Sequence, residues 1–373
     1  MIFKEAFEHY KAGIATPEEA AYIEQELEKN QLLSEYSEDD FNFNPESESA
    51  PAEELKKVKK SIRKRSHSII VISVAIVVVL ALLANFVAVP LLNNLYYNPM
   101  TKENDIYSYD IDLSFTAYTE LHHAGYFYSN TVIENTGIGK YSMTLVRANA
   151  STGKPEYFTA TLNKNHFTMP YSYSASFLPM NSFARASTPV YNFDSEEKER
   201  FIKELKALPD YMNVTAAVSF SEDLTMDQLI NLMGNSKVNF LWTGIRNSPE
   251  GVQSYPLCGM DLTGAGVIYE HINDKYPAFE LSACSDNRSF SASDYETHFT
   301  SLLRYTIDHA DFLNALYANK NEASYYQSVL DYVTENGVKT YGVLVNGSAA
   351  DILAMMDSGT VSQIWPLDAK VTF

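Results

Sequence analysis

Between Arg65 and Lys102 the chain has no Asp, Glu, Lys or Arg, and within that span Ile69–Val89 reads IIVISVAIVVVLALLANFVAV. Twenty-one residues at about 1.5 Å rise each make a helix of roughly 31 Å, the thickness of a bilayer's hydrocarbon layer. A soluble core helix of this length would keep a polar face, and this run has none. A cleaved signal peptide would follow a short basic leader, whereas 68 residues precede this run and Pro90 follows a poor cleavage site, Val87-Ala88-Val89. The spacing therefore predicts one transmembrane helix over 67–92. Asn85 falls near its end, where water or head groups reach it.

The flanks set the expected orientation. Lys56, Lys57, Lys59, Lys60, Arg63, Lys64 and Arg65 crowd one side, and only Lys102 lies near the other. The positive-inside bias puts the N-terminus in the cytoplasm and exports the remainder as a single-pass cell-membrane protein. The same seven charges suit anionic head groups, so membrane lipid is an expected partner. Net charge is −19 overall, and residues 1–55 carry fifteen acidic groups against three lysines. So acidic a balance argues against direct nucleic-acid binding and suits a basic protein partner.

Ahead of the membrane run, Phe3, Ala6, Phe7 and Tyr10 recur at helical spacing up to Gly13. Thr16-Pro17-Glu18-Glu19 is a capping box with proline in the first turn, which predicts a second helix from Pro17 to about Asn30 striped by Ala20, Ile23 and Leu27. Two short helices with narrow stripes make too small a core to stand alone and read as a segment completed by a partner. Residues 37–53 have a linker's composition.

The run Tyr10-Lys11-Ala12-Gly13, Pro17-Glu18-Glu19, Ile23 to Lys29 and Leu33-Ser34-Glu35-Tyr36 resembles the cytoplasmic start of Firmicute membrane-bound anti-sigma factors. Glu134 to Tyr141, ENTGIGKY, resembles a recurrent stretch of the sigma factor regulator N-terminal region, and Gly337 to Trp365 resembles the matching C-terminal domain. The resemblance implies that residues 1–36 hold an extracytoplasmic-function sigma factor. Phe3, Phe7, Tyr10, Ile23 and Leu27 would be apolar anchors, and Glu18, Glu19, Glu24, Glu26 and Glu28 an acidic rim facing the sigma factor's basic surface. Many such factors bind zinc through His and Cys. This segment has His9 and no cysteine, so no metal is expected.

Beyond the membrane run, 93–106 reads as a tether and 107–373 as an exported α+β domain. Alternation over Tyr107–Leu121 predicts a strand, followed by strands at Tyr126–Glu134, Tyr141–Ala148 and Tyr157–Leu162 in an antiparallel sheet. A helix opens at Asp194. Val214–Phe220, Asp227–Met233 and Phe240–Trp242 read as strand, helix, strand. Val338–Val345, Asp351–Met356 and Gln363–Trp365 repeat the pattern 124 residues on, giving two βαβ-like units. Between them, Ser293-Asp294-Tyr295-Glu296 caps one helix and Ala323–Val333 forms another.

Catalytic motifs are missing: the chain has no GxSxG elbow, phosphate-binding glycine loop or HExxH. His122 and His123 read as isolated surface histidines, and Asp308, His309 and Asp311 as a solvated helix face. A pocket joining them to a serine would instead suggest a hydrolase. Cys258 and Cys284, both in the exported part, leave a disulfide or two free thiols open. Together these readings give a membrane anti-sigma factor with no cofactor and no enzymatic activity. Its exported part would sense a signal, through a second membrane protein or a protease. The alternative is a surface binding or assembly protein with no transcriptional role.

Overall fold

The computed structural model describes residues 3–13, 15–39, 52–102, 109–174, 178–186, 195–209, 211–249, 252, 256–265, 272–285, 289–317 and 322–371. It divides into two compact units, Met1–Ala81 and Leu82–Phe373. The expected cap at Asp194 and most of the 37–53 linker lie outside the described residues.

In the first unit, α1 (Phe3–Lys11) packs on α2 (Pro17–Asp39). The capping box is present: the Thr16 amide donates to Glu19 at 2.9 Å and the Glu19 amide donates to the Thr16 hydroxyl at 3.3 Å. The second helix continues to Asp39, past the expected end near Asn30, because no Gly or Pro intervenes. A long helix then begins with α3 (Ala52–Leu83), passes through a π-turn (Ala84–Ala88) and ends in α4 (Val89–Asn93). Pro90 lacks an N–H and its ring crowds the carbonyl four residues back; the widened turn just ahead of it accommodates that misfit.

The second unit holds two sheets. A four-stranded antiparallel meander consists of β1 (Tyr126–Gly137), β2 (Lys140–Asn149), β3 (Pro155–Asn163) and β4 (His166–Thr168). Its inner face carries Tyr141, Met143, Leu145, Phe158, Ala160, Leu162 and Phe167, the alternation expected of a half-buried sheet. Helix α5 (Asp110–His122) precedes these strands, and two short helical turns follow them, α6 (Tyr171–Ser174) and a tighter one at Met180–Ser182. Beyond it, α7 (Ser195–Lys206) stacks Phe201 on Trp365 at 6.2 Å.

The five-stranded sheet is built from β5 (Met212–Thr225), β6 (Asn239–Ile245), β7 (Gly259–Asp261), β8 (Lys339–Ser348) and β9 (Val361–Val371), in the order β7-β6-β8-β5-β9 with every pairing antiparallel. The remaining helices of this unit are α8 (Met226–Asn235), α9 (Ile272–Lys275), α10 (Ala292–Asp308), α11 (Ala310–Tyr317), α12 (Glu322–Asn336) and α13 (Ala349–Ala354), of which α8 and α13 pack on the five-stranded sheet and α11 on β4. Both expected strand–helix–strand units are present, as β5-α8-β6 and β8-α13-β9. Their strands do not pair within a unit, however. β8 lies between β5 and β6, and β5 lies between β8 and β9, so two split units interlock around the central β5–β8 pair. Thr225 and Ser348 cap the equivalent helices in the same way, each hydroxyl accepting the amide three residues on.

Three expectations are corrected. Residues 110–122 form the helix α5, not a strand, and α5 contacts β1, β7 and α10. Ile111, Phe115, Tyr118 and Leu121 recur at helical spacing within the same letters that alternate, and the Tyr109 amide donates to Asp112 at 3.3 Å at the helix start. The described part of the 93–106 tether is docked, not free: the Gly139 amide donates to Asn93 Oδ1 at 2.9 Å and the Tyr97 amide to Asn165 Oδ1 at 2.7 Å. Finally, α10 is capped by Ser291 with Asp294, two residues before the expected Ser293.

Candidate functional site

The first unit contains the residues expected to grip a partner, and the structure sorts them into two sets. Ile23 is fully buried, as is Ala6 on the facing helix, so Ile23 belongs to the hairpin's own core. Leu27 is 45% exposed and free to meet another surface. Phe7 and Tyr10 are half-buried, with Lys11 Nζ 4.7 Å from the Phe7 ring centre. The side chain of Phe3 lies outside the described residues. Among the acids, Glu18 and Glu24 face solvent, and Glu24 accepts from the Tyr10 hydroxyl at 3.3 Å. Glu19 is tied into the cap and to His9 at 3.2 Å. The Thr16 amide and His9 hold its carboxyl below the usual range. Glu26 pairs with Lys29 at 2.8 Å.

The expected membrane segment lies in one helix, Lys59–Asn93, whose most apolar window has a mean hydropathy of 3.0 and no buried side chain. Ile69, Ile70, Val77, Leu80 and Phe86 are each more than half exposed. An all-round apolar surface of this kind needs an apolar solvent or a protein partner. The described basic side chains Lys56 to Arg65 are exposed on the same helix.

In the second unit, His122 and His123 are buried, contrary to the expected surface positions. His122 Nδ1 lies 2.7 Å from the Leu257 carbonyl and Nε2 lies 2.8 Å from the Tyr326 hydroxyl. A carbonyl only accepts, so Nδ1 is the donor and Nε2 accepts from the tyrosine. Burial pushes its pKa down to about 4, which keeps that neutral form. His123 Nδ1 sits 2.6 Å from the Arg147 guanidinium. Burial and that cation hold His123 well below its ordinary value.

His298 is the opposite case. Nδ1 lies 2.8 Å from the Ala278 carbonyl and Nε2 2.9 Å from the Glu120 carboxylate, so both nitrogens donate. Burial would lower its pKa, but the Glu120 charge and these bonds prevail and raise it. Nearby Asp261 receives the amides of Thr263 and Gly264, each at 2.8 Å. Burial, then the Glu120 charge, pushes Asp261 up to about 7. Sequence reading missed this buried acid–histidine group, because its members lie on α5, β7 and α10 with no local signature.

A cavity of about 1000 Å³ does bring Asp308, His309 and Asp311 together with Ser114, Tyr97 and Asn314. They are not one helical face, since α10 ends at Asp308 and α11 begins at Ala310. The catalytic relay that would suggest a hydrolase is not formed. The Ser114 hydroxyl donates to the Asp110 carbonyl at 3.0 Å, His309 Nδ1 to the Tyr305 carbonyl at 2.8 Å, and Asp308 accepts from Tyr276 at 2.8 Å. Among the described residues no cluster of three or more His, Cys, Asp or Glu is arranged for a metal ion. Cys258 and Cys284 are free thiols. Cys258 is buried, which pushes its pKa up to about 12.

No curated protein and no solved structure was found to match the chain. Residues 205–364 match the family described as sigma factor regulator C-terminal. That span begins in α7, well before the expected Gly337, and takes in both split units with the helices between them. Over that span the chain is similar to a family of sigma factor regulators, a regulatory and not a catalytic family.

Proposed function

We propose that the chain is a single-pass membrane anti-sigma factor whose residues 1–36 sequester an extracytoplasmic-function sigma factor and whose exported domain, 107–373, answers an external signal. The observation that carries this reading is the sigma factor regulator match in a chain whose other unit leads into a charge-free helix. The basic flank Lys56–Arg65 supports an N-terminus in the cytoplasm, where a sigma factor is found. The hairpin offers exposed Leu27 and half-buried Phe7 and Tyr10 as its apolar contact, with Glu18 and Glu24 beside them. Acidic groups there steer a basic partner into place, and the apolar contact holds it. Ile23 acts indirectly, by keeping the two helices paired.

The test is capture of sigma factors by the tagged full chain, solubilised in detergent, at low ionic strength where acidic–basic attraction is strongest. Leu27→Asp is expected to abolish capture while the chain stays folded, and Glu24→Lys to weaken it in a salt-dependent way. Ile23→Asp should abolish capture by unfolding the hairpin, with loss of helical circular dichroism. If no sigma factor is captured by the unaltered chain, the assignment is wrong and the surface-binding alternative takes its place.

A further inference from the structure

The outer end of the apolar helix runs into a built seat on the four-stranded sheet. Within six residues four make separate contacts. Asn93 Oδ1 accepts the Gly139 amide at 2.9 Å, and the Tyr97 amide donates to Asn165 Oδ1 at 2.7 Å. Asn98 Oδ1 accepts the Tyr141 hydroxyl at 3.2 Å. Tyr96 lies against Gly139 so closely that a Cβ there would stand 2.8 Å from its Cδ2. Lys164, itself at φ 60°, donates its amide to the Gly139 carbonyl and holds its ammonium 5.7 Å from the centre of the Tyr96 ring. The Tyr97 ring then bridges the sheet and α11, 5.9 Å from Phe167 and 6.4 Å from Phe312.

Gly139 is required twice over. Its φ of 61° is left-handed, and the space a side chain would need is filled by Tyr96. Gly153, in the next hairpin of the same sheet, has φ 66° and nothing within 4 Å of an added Cβ. The two glycines share the backbone strain, and only Gly139 touches the helix exit.

We propose that residues 93–98, the Gly137–Lys140 turn and the Lys164–Asn165 turn form a latch that joins the membrane helix to the exported domain without slack, so that a movement of the domain is carried into the helix. The assignment of a signal to this joint rests on the anti-sigma reading; the latch itself rests on the contacts above. A chain joined by an extended tether would lose any such movement in the linker, because a flexible segment transmits neither rotation nor tilt.

The test uses the full chain in lipid nanodiscs with hydrogen exchange followed by mass spectrometry over 93–101 and 137–141. The amides of Tyr97 and Gly139 should exchange slowly in the unaltered protein. Gly139→Val and Asn165→Ala should each speed exchange there by about tenfold or more, leaving β5 and β8 unchanged, while Gly153→Val should not. Asn165→Ala removes only an acceptor, so it decides the matter if Gly139→Val fails to fold. Exchange at 93–101 no faster in Asn165→Ala than in Gly153→Val overturns the latch. In cells carrying a sigma-dependent reporter, the latch variants should shift output by about twofold or more. A flat reporter despite faster exchange overturns the transmission role, provided deletion of residues 2–50 does change the output. If that deletion changes nothing, the sigma reading has failed, and the latch is judged on exchange alone.

Discussion

Replacing Asp261 by asparagine should stabilise the second unit, and by an amount that grows with pH. Asp261 is buried on β7, and burial together with the Glu120 charge raises its pKa from 3.8 to about 7. The unfolded chain gives up this proton near pH 3.8 and the folded chain near 7, so between those values the folded state holds one proton more. Stability therefore falls as pH rises through that window, at about 1.4 kcal/mol per pH unit, and the loss is complete above the folded pKa. A difference of about three units sets an upper limit of about 4 kcal/mol on the penalty at pH 8. Asparagine keeps an acceptor for the Thr263 and Gly264 amides and cannot ionise. Its advantage over aspartate should grow by roughly 2.5 kcal/mol between pH 5 and pH 8. The assay is urea unfolding followed by tryptophan fluorescence, which reports this domain alone because Trp242 and Trp365 are the only tryptophans. His122 and His123 destabilise the fold as pH falls below 6.5, and the raised His298 loses its contribution as pH rises above that value. The His122 and His123 terms are common to both proteins and cancel in the difference, whereas the Asp261 charge itself helps to raise His298, so that part of the His298 contribution enters the difference with the opposite sign. A stability difference that stays constant from pH 5 to pH 8 would refute an ionising Asp261.

Two further tests concern packing and thiols. Gly244→Ala should lower the urea midpoint by an amount equivalent to about 1–3 kcal/mol, as overpacking does. Its Cβ would stand 2.5 Å from the Tyr341 ring, which is fully buried beside Phe183 and has no room to retreat. An unchanged midpoint would show that Tyr341 has room to move and that this part of β6 is loosely packed. Under native conditions an alkylating reagent should modify half-buried Cys284 and spare Cys258 until urea unfolds the domain. Protection of both thiols that is lifted only by a reductant would mean a disulfide.

The parts of the fold most legible in the sequence were those in which one period dominates. The apolar run admits only a helix, and the meander's strands alternate cleanly because one face is covered and the other is wet. Helix α5 defeated the same reasoning because it is buried on nearly every side. Its polar residues are paired inside the core and not exposed on a face: Asp112 accepts from Tyr128 and from the Thr131 amide, Thr116 bonds back to the Asp112 carbonyl, and Glu120 meets His298. Those partners lie up to 178 residues away in sequence. No window of the chain could show that the polar letters were core, so alternation won by default. His122 and His123 were misplaced for the same reason.

The repeat shows a subtler limit. Two matching strand–helix–strand patterns were visible, and taken singly each suggests a parallel pair. Side-chain patterning records which residues are buried but not which strand lies alongside, and interlocking buries the same residues. The deciding contact is the central pairing, Val218 with Val343, across 125 residues of chain. The hairpin at the other end shows the same limit in reverse. Its stripe reads as a surface awaiting a partner, yet Ile23 is buried within the hairpin. An apolar stripe two residues wide divides between the two helices and whatever docks on them, and only the fold shows where the division falls. On the proposed reading, that division makes Leu27, and not Ile23, the position at which a substitution should remove binding without unfolding the hairpin.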